Sequence, residues 1–567
     1  MPAQAANWED RIGETSRARS GPARRPFRLT AWQAVAYLVA ALVILPILTI
    51  AGTAAGGDGE LWSHVLANVL PQATKNTALL LIGAGCIAAV VGTGTAWLVS
   101  AYDFRGRGVL EWALLLPLAV PTYIMAYAYL DVLSPLGPVQ GVIRAMLGYD
   151  SPRDFRLPDL RSMWGAIMVF GLVLYPYVYL TTRAMFLTQA ANQIEVARTL
   201  GAGPFSVFWR VVLPLARPAI AVGTSLALME ALNDVGAAQF LGVRTLTASV
   251  YTTWIIRSDL PGAAQIAIAM LIVVVALISL ERWARRKQSF AAGVQRARPM
   301  QPQRLTGVKS GLAFALGALP VLIGFVGPGL YLLVEAIERI EFAGFSGALI
   351  SATLNTVAYS AIATILVVAL GFVLAYAARI GSGRLTTAST RLAVLGYAMP
   401  GTVLGIGILV PVAFFDRTLD ATMQAWFGYS TGLLLLGSGA AMIYAYSVRF
   451  MAISAGGIEA GFSRIPLAYD HAARTLGQTA TGTMLRVHLP LSKRALVAAG
   501  LLVFVDCMKE LPATLLLRPL NVETLSTMLY GEAVRGTYEN AAVAALIIVA
   551  IGMLPVVLLA RTGRMES

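Results

Sequence analysis

The chain has 567 residues, of which 57% are hydrophobic and only 13% are charged, and its mean hydropathy is +0.71. Soluble domains carry about 25% charged residues, so this composition excludes a soluble globular protein and indicates a polytopic membrane protein. A net charge of +14 would suggest nucleic acid in a soluble chain. Here it fits membrane topology better, and no nucleic-acid partner is expected.

Twelve apolar runs follow a polar, arginine-rich start. Residues 1–30 contain no evident cleavable signal peptide and are expected to form a disordered cytosolic tail. A transmembrane helix needs about 20 mainly apolar residues, and each run is predicted to form one, which makes the fold all-α. The runs lie near 31–52, 74–101, 108–130, 163–184, 219–241, 263–281, 310–335, 354–379, 391–415, 431–452, 495–517 and 541–561.

A basic segment at 282–309 divides the chain into two halves, 31–281 and 310–567, with six runs each. We expect the segment to be a cytosolic linker and each half to be one permease-like domain. Because six is an even number, both halves enter the membrane from the same side, and the duplication is predicted to be parallel. The recurring motifs are Asn76-Thr77 with Asn355-Thr356, Pro121 with Pro400, and Thr245-Leu246 with Thr524-Leu525.

The distribution of basic residues predicts the orientation. If the N-terminus is cytosolic, the even-numbered connections are cytosolic too, and these carry an excess of arginine. The connections assigned to the outside carry mixed charge. The positive-inside rule therefore places both termini in the cytoplasm.

The polar connection after the fourth run of each half is itself repeated. IEVARTLGAGPFSVFWRVVLPLARP (194–218, loop repeat 1) aligns without a gap with DHAARTLGQTATGTMLRVHLPLSKR (470–494, loop repeat 2), shifted by 276 positions (477 minus 201). Each is predicted to form a short helix, a turn at glycine, and a second amphipathic segment that stops at Leu-Pro, because proline cannot donate a backbone hydrogen bond. One copy alone would be an ordinary connector, whereas two gapless copies favour a docking function.

Ionisable side chains inside apolar runs are costly, so they are candidates for function. The fifth run of each half contains an acidic pair, Glu230 with Asp234 and Asp506 with Glu510, and the spacing of four predicts that each pair shares a helical face. One hypothesis is that the carboxylates line a central path for a hard cation, which prefers oxygen ligands. The alternative is structural: Lys509 pairs with a neighbouring acid, and the other acids cap half-helices. No fixed metal site is predicted.

The chain contains no Gly-x-x-x-x-Gly-Lys-Ser/Thr loop, so it does not bind ATP by that device. No catalytic residue and no bound cofactor are predicted.

The two loop repeats resemble the EAA loops of binding-protein-dependent ABC importer permeases, whose pattern is Glu-Ala-Ala, three residues, Gly, nine residues, an aliphatic residue, one residue, and Leu-Pro. The resemblance implies that both loops dock ATPase subunits. In loop repeat 1 the matching residues are Glu195, Ala197, Gly201 and Pro214. In loop repeat 2 they are Ala472, Ala473, Gly477 and Pro490, with His471 in place of the glutamate.

Across nearly its whole length the chain resembles the fused permeases of ferric iron ABC importers. The segments that carry this resemblance are LPLAVPTYIMAYAYLDVLSPLG, YPYVYLTTRAMF, ALNDVGAAQFLG and MKELPATLLLRP. The resemblance implies a MetI-like permease fold in a bacterial inner membrane, a periplasmic ferric-binding protein as partner, and a homodimer of ABC ATPase subunits that use ATP and Mg²⁺. The chain itself would be a transport subunit and not an enzyme.

Two other functions stay open at this point. Fused permeases for thiamine and permeases for other small solutes share the same loops, so the cargo is less certain than the architecture. A secondary transporter driven by an ion gradient belongs to a different class; it would more often show inverted repeats and would not need two matched cytosolic loops.

Overall fold

The computed structural model describes residues 31–56, 59–188, 194, 196–197, 199–285, 302–381 and 383–564. The expected tail at 1–30, Glu195 and residues 286–301 of the expected linker lie outside this description. The described chain is almost entirely helical, which confirms the all-α prediction. Its one sheet is a two-stranded parallel pair, β1 (Tyr102–Asp103) with β2 (Gln303–Arg304).

Twelve α-helices of the first half have both ends within the described residues. They are α1 (Ala31–Ala55), α2 (Gly59–His64), α3 (Leu70–Ala101), α4 (Arg107–Ala113), α5 (Thr122–Val132), α6 (Pro138–Leu147), α7 (Met163–Thr188), α8 (Pro204–Val207), α9 (Leu213–Asn233), α10 (Val235–Phe240), α11 (Leu246–Tyr251) and α12 (Leu260–Arg285). Wide π turns at Val65–Val69, Phe208–Val212 and Thr252–Ile256 and a 3-10 turn at Leu116–Ala119 adjoin them.

The second half repeats this order. Its helices are α13 (Val308–Val321), α14 (Gly327–Ala343), α15 (Gly347–Ile380), α16 (Arg384–Ala393), α17 (Gly401–Phe427), α18 (Leu434–Ser438), α19 (Ala440–Ser463), α20 (Leu467–Thr475), α21 (Ala480–Thr483), α22 (Leu489–Leu491), α23 (Lys493–Met508), α24 (Pro512–Leu517), α25 (Leu525–Arg535) and α26 (Tyr538–Arg564). π turns occupy Leu322–Val326 and Met484–His488, and a 3-10 turn occupies Leu395–Ala398.

Within the described ranges, nine helices are long and apolar enough to cross a membrane, and a tenth span is formed if the bent pair Arg107–Ala119 and Thr122–Val132 counts as one. This pair bends by 92° at its break. Every one of the twelve expected runs contains a helix, but three of them do not form a single long apolar helix. These are the third run, the eleventh, which divides into α23 and α24, and the twelfth, whose apolar part is short.

The same hydrogen bond fixes the third helix in each half. The Thr77 hydroxyl in α3 accepts from the backbone N–H of Leu246 over 2.9 Å. The Thr356 hydroxyl in α15 accepts from the N–H of Leu525 over 2.8 Å. In both cases the acceptor lies at least about two turns into its helix, and the donor begins the helix that follows the broken fifth run, so the two halves share their internal connections.

The first helix of each half crosses to the other half. Helix α1 packs against α15, α16 and α17 of the second half, and Gln33 donates to Thr386 over 3.2 Å. The π turn between α13 and α14 meets the first half, where the Tyr129 hydroxyl donates to the carbonyl of Ile323. The largest buried cluster accordingly contains residues from both halves. The seam between the halves is therefore part of the protein core.

Candidate functional site

A polar cavity of about 90 Å³ lies at the seam between the halves. Its walls come from the breaks in the fifth runs, from α5 and α7, and from α19. All four carboxylates singled out from the sequence line it, together with cations and phenols. The polar lining residues are Tyr123, Tyr177, Glu230, Asn233, Asp234, Tyr397, Arg449, Asp506, Lys509 and Glu510.

The first-half carboxylates lie on either side of a helix break. Helix α9 ends at Asn233, and Asp234 has extended backbone angles (φ −82°, ψ 102°). Its Oδ1 atom accepts a hydrogen bond from the N–H of Ala237 over 2.8 Å, which makes Asp234 the N-cap of α10. Such a cap satisfies a backbone donor that a buried helix end would otherwise leave free. Glu230 remains in the last turn of α9.

The second-half break is built in the same way. Glu510 lies between α23 and α24, and its carboxylate accepts from the N–H groups of Ala513 and Thr514, each over 3.0 Å. The prediction that each acidic pair shares one helical face is therefore wrong. Asp234 and Glu510 leave the helix in order to cap the half-helix that follows, and Pro512 helps to end the second helix.

One arginine ties the two breaks together. Arg449 Nη1 lies 3.0 Å from Glu510 Oε1 and 3.0 Å from Asn233 Oδ1. The same Asn233 oxygen accepts from the N–H of Gly401 over 2.8 Å. Both side chains of the Arg449–Glu510 pair are at most 10% exposed. The contacts join the ends of the fifth runs to α17 and α19 and close the cavity on this side.

Sequence reasoning missed Arg449. The signal was present, because this arginine is the charged residue in the middle of an apolar run predicted at 431–452. The first half has no arginine at the equivalent position. Val178 packs against Gly92, and Ser454 packs against the equivalent Gly371, so Val178 and Ser454 occupy equivalent places. The same shift of 276 puts the buried Val173 at the place of Arg449.

The second cation of the cavity is also paired. Lys509 Nζ lies 2.8 Å from Asp506 Oδ1, as the structural alternative in the sequence analysis anticipated. Glu230 makes no hydrogen bond or ion pair with another described residue, and Asp234 has no cationic partner among them. The cavity thus contains carboxylates that form no ion pair among the described residues, although the ammonium of Lys509, paired with Asp506, also attracts Glu230 electrostatically. In the described ranges no group of three or more His, Cys, Asp or Glu residues is arranged to hold a metal ion.

The two loop repeats have the same turn. Gly201 and Gly477 both have left-handed backbones, with φ of +82° and +77°. In repeat 1 the N–H of Ala202 donates to the Ala197 carbonyl over 3.0 Å, and in repeat 2 the N–H of Gln478 donates to that of Ala473 over 2.9 Å. This six-residue closure with glycine at the left-handed position is the Schellman type of helix end.

The prediction that the second segment stops at Leu-Pro is wrong for repeat 1, whereas in repeat 2 the short α22 ends at Leu491, one residue after Pro490. A continuous apolar helix runs from Phe205 to Asn233 through Pro214. A π turn precedes this proline, and the N–H of Leu213 donates to the carbonyl of Phe208, five residues back. The wider turn accommodates the proline ring and its missing donor, so the loop is joined rigidly to the fifth run. Repeat 2 has the same π turn before Pro490.

Each loop repeat presents apolar side chains at matched places. Leu200 is 82% exposed and Leu476 is 80% exposed, and Trp209 and Leu485 are each about half exposed. Large exposed apolar groups at equivalent positions indicate a surface for a protein partner. The residues predicted from the EAA pattern differ in exposure. The exposed ones are Gly201, His471, Ala472, Gly477 and Pro490. Ala197 and Pro214 are half-buried, Ala473 is buried, and Glu195 lies outside the described residues.

A buried ionic cluster supports loop repeat 2. Asp470 accepts from Arg379 Nη2 over 2.6 Å and lies 2.8 Å from His488 Nε2. Burial favours the neutral acid, but hydrogen bonds from Arg379 and His488 outweigh it and hold the pKa of Asp470 below its ordinary value. Repeat 1 has buried Ile194 and Val212 at the places of Asp470 and His488. Asp470 is therefore engaged internally and does not replace the missing glutamate at position 471.

Comparison with known proteins identifies the class of transporter. Residues 82–289 match the family of binding-protein-dependent transport system inner membrane components. The chain is 24% identical over 493 residues to an Fe(3+)-transport system permease protein of Haemophilus influenzae, covering 86% of this chain and 90% of that protein.

Two further relatives show how varied the named cargoes are. A probable ABC transporter permease protein of Sinorhizobium fredii is 25% identical over 540 residues, covering 90% of this chain and 91% of that protein. A putative 2-aminoethylphosphonate transport system permease protein of Salmonella choleraesuis is 28% identical over 240 residues, covering 40% of this chain and 82% of that protein. Residues 82–289 thus carry the sequence signature of this family, and over most of its length the multi-pass chain is similar to permease proteins of ABC transport systems.

Proposed function

We propose that this permease passes Fe(III), delivered by a periplasmic binding protein, through the seam cavity into the cytoplasm. ATP hydrolysis in a homodimer of separate ATPase subunits drives the step. Both termini are cytoplasmic in this proposal, so loop repeats 1 and 2 face the ATPase subunits and the opposite ends of the helices face the binding protein.

The observation that carries the choice of cargo is the uneven pairing of charge in the cavity. Arg449 and Lys509 form ion pairs with Glu510 and Asp506, whereas Glu230, which Lys509 attracts without direct contact, and Asp234 form no ion pair among the described residues. An anionic cargo would need an unpaired cation. A hard cation is instead attracted by carboxylate and phenol oxygens. The absence of a three-ligand group in the described ranges suits a cargo that passes and is not stored.

The matched loops support the ATPase partners. Exposed Leu200 and Leu476 lie at equivalent turns, which suits one copy of the same subunit on each loop. The π turn of repeat 1 leads directly into α9, which ends at the cavity, and in repeat 2 only α22 and Ser492 separate the π turn from α23. Closure of an ATPase pair on ATP would therefore move the breaks at Asn233 and Met508 as parts of rigid helices, and the ATP would stabilise one of two states differentially.

Thiamine is the second candidate, because it is also cationic and would meet the same unpaired carboxylates. The experiment that separates the cargoes uses this chain assembled with its ATPase subunits in nanodiscs. ATPase activity is measured while purified binding proteins are added, loaded with Fe(III) or with thiamine, or empty. We expect strong stimulation by the ferric protein alone.

Stimulation by the thiamine protein alone would overturn the iron assignment but keep the importer and its docking loops. An ATPase that no binding protein stimulates would contradict the proposed partners. As a control, 2-aminoethylphosphonate-loaded protein should give no response, because the cavity has no unpaired cation among the residues described.

A further inference from the structure

The first half contains a second cavity, of about 540 Å³, at the end of the molecule opposite the loop repeats. Its charged lining residues are His64, Arg244 and Arg257, and all three are exposed. No carboxylate belongs to its described lining; the remaining polar wall includes the amides Asn68, Gln72 and Gln239. In the proposed orientation this basic cavity opens to the outside.

Arg244 is held in place by its backbone. The Asn76 side chain donates to the Arg244 carbonyl over 3.1 Å. At the equivalent place in the second half, the Asn355 side chain donates to the Glu523 carbonyl over 3.0 Å. The duplicated scaffold thus presents opposite charges at matched corners of the two halves.

The two matched positions also differ in whether their charged side chains are already paired. Glu523 lies 2.8 Å from Arg518 and is already neutralised. Neither Arg244 nor Arg257 forms an ion pair with another described residue. The cavity of about 180 Å³ in the second half that corresponds to the basic one contains Arg339, but this arginine donates to Asn540, which in turn donates to Glu532.

The backbone beside Arg257 is unusual. Ser258 has φ of 56° and is the one non-glycine residue with positive φ among those described. The turn that ends the matching helix of the second half uses Gly536, which adopts φ of +79° without the same strain. A strained residue persists where its surroundings hold it, and here it adjoins one of the two free guanidiniums.

We propose that this basic cavity receives carboxylate side chains from an acidic segment of the periplasmic binding protein. Guanidinium groups bind carboxylates in a two-pronged arrangement, and the amides of the wall supply further donors. Because the matching cavity of the second half has a single half-buried arginine, Arg339, which donates to Asn540, and not two exposed ones, a two-lobed binding protein would dock in one orientation only. The inference rests on the proposed function and on its orientation in the membrane.

The test uses the transporter assembled with its ATPase subunits and the binding protein that stimulates it most. In the variant Arg244→Glu with Arg257→Glu, we expect the concentration of binding protein that gives half-maximal stimulation to rise at least about tenfold at low salt. The difference from the unmodified transporter should shrink at high salt, where screening weakens exposed charges. Basal ATPase activity should not change, and Arg417→Glu, an exposed reversal on α17, is the matched control.

A charge-swap experiment is the decisive test. Lysine substitutions are placed at each acidic residue on the binding-protein surface, and one of them should restore stimulation of the Arg244→Glu and Arg257→Glu variant. Unchanged half-maximal concentrations in that variant would overturn the inference while leaving the importer intact. The inference would also be overturned if the double variant docked the binding protein normally and inorganic phosphate raised the thermal stability of the unmodified protein. That result would indicate a site for small anions. If no binding protein stimulates the transporter, the proposed function itself fails.

Discussion

Arg449 and Glu510 form a buried ion pair at the seam, with 3.0 Å between Nη1 and Oε1, and the same Arg449 nitrogen also reaches Asn233 of the first half. A buried carboxylate that loses its cation is strongly destabilised. The pair therefore stabilises the break in the second half, and the contact of Arg449 with Asn233 joins that break to the first half.

Replacing Arg449 by Met should lower thermal stability in detergent, by about 3 kcal/mol, because Glu510 stays buried as an unpaired charge. Adding Glu510→Gln should recover part of the loss, since glutamine still accepts from the N–H groups at the start of α24. Differential scanning fluorimetry compares the variants. Equal stability of Arg449→Met and the unmodified protein would show that the pair does not hold the seam.

Asp234 has two candidate roles, and two substitutions separate them. Asparagine caps helices about as well as aspartate, so Asp234→Asn should keep the thermal stability and reduce iron uptake. Asp234→Ala should reduce uptake and also cost about 1 kcal/mol of stability, because the N–H of Ala237 loses its acceptor. If Asp234→Asn transports at the normal rate, the carboxylate charge serves only as a cap.

The exposed leucines of the loop repeats should govern binding of the ATPase subunits. Leu476→Asp is expected to reduce co-purification with the ATPase severalfold, and Leu200→Asp should do the same on the other loop. Leu520, which is fully exposed near α25, gives the matched control as Leu520→Asp. Normal co-purification of the Leu200 and Leu476 variants would move the docking surface elsewhere.

The ionic cluster below loop repeat 2 can be exchanged for the apolar one below repeat 1. Asp470→Asn alone should destabilise by about 3 kcal/mol, because Arg379 loses its carboxylate. The triple substitution Arg379→Ser, Asp470→Ile and His488→Val copies the residues of the first half and should be less destabilised than the single variant. If the triple variant were less stable than Asp470→Asn, the buried residues below the two loop repeats would not be equivalent.

The cluster also has a pH signature. Since the pKa of Asp470 is held below its ordinary value of 3.8, its stabilising effect is complete above that pH. It is lost as pH falls further, through the folded-state pKa. Thermal midpoints measured from neutral to strongly acidic pH should therefore drop more for the unmodified protein than for the triple variant; parallel curves would contradict this sign.

The sequence predicted the helices and the meeting of the four carboxylates, because long apolar runs and duplicated motifs leave few other arrangements. The structural alternative anticipated acids that cap half-helices, but the sequence did not mark the position of the break at Asp234, because neither glycine nor proline ends α9 there. The period of 3.6 residues therefore misplaced Asp234 relative to Glu230. Likewise, the Leu-Pro signal suggested a stop at Pro214, since a π turn has no recognised sequence pattern.

Arg449 illustrates a different limit. Its charge was visible in the sequence, but its partners lie 216 and 61 positions away, and only packing of the halves brings them together. The unpaired state of Glu230 is likewise a property of the assembled cavity. Whether the charged side chains are ion-paired, more than which residue types are present, distinguishes a cation path from a structural network of buried charges.

The most direct test of the whole account is radiolabelled iron uptake into proteoliposomes that contain this chain and its ATPase subunits, with ferric binding protein outside and ATP at the ATPase face. The account predicts ATP-dependent accumulation of iron, reduced at least about tenfold by Glu230→Gln with Asp234→Asn, while stimulation of the ATPase by the binding protein persists. Uptake that needs no ATP, or that is unchanged in this double variant, would contradict it.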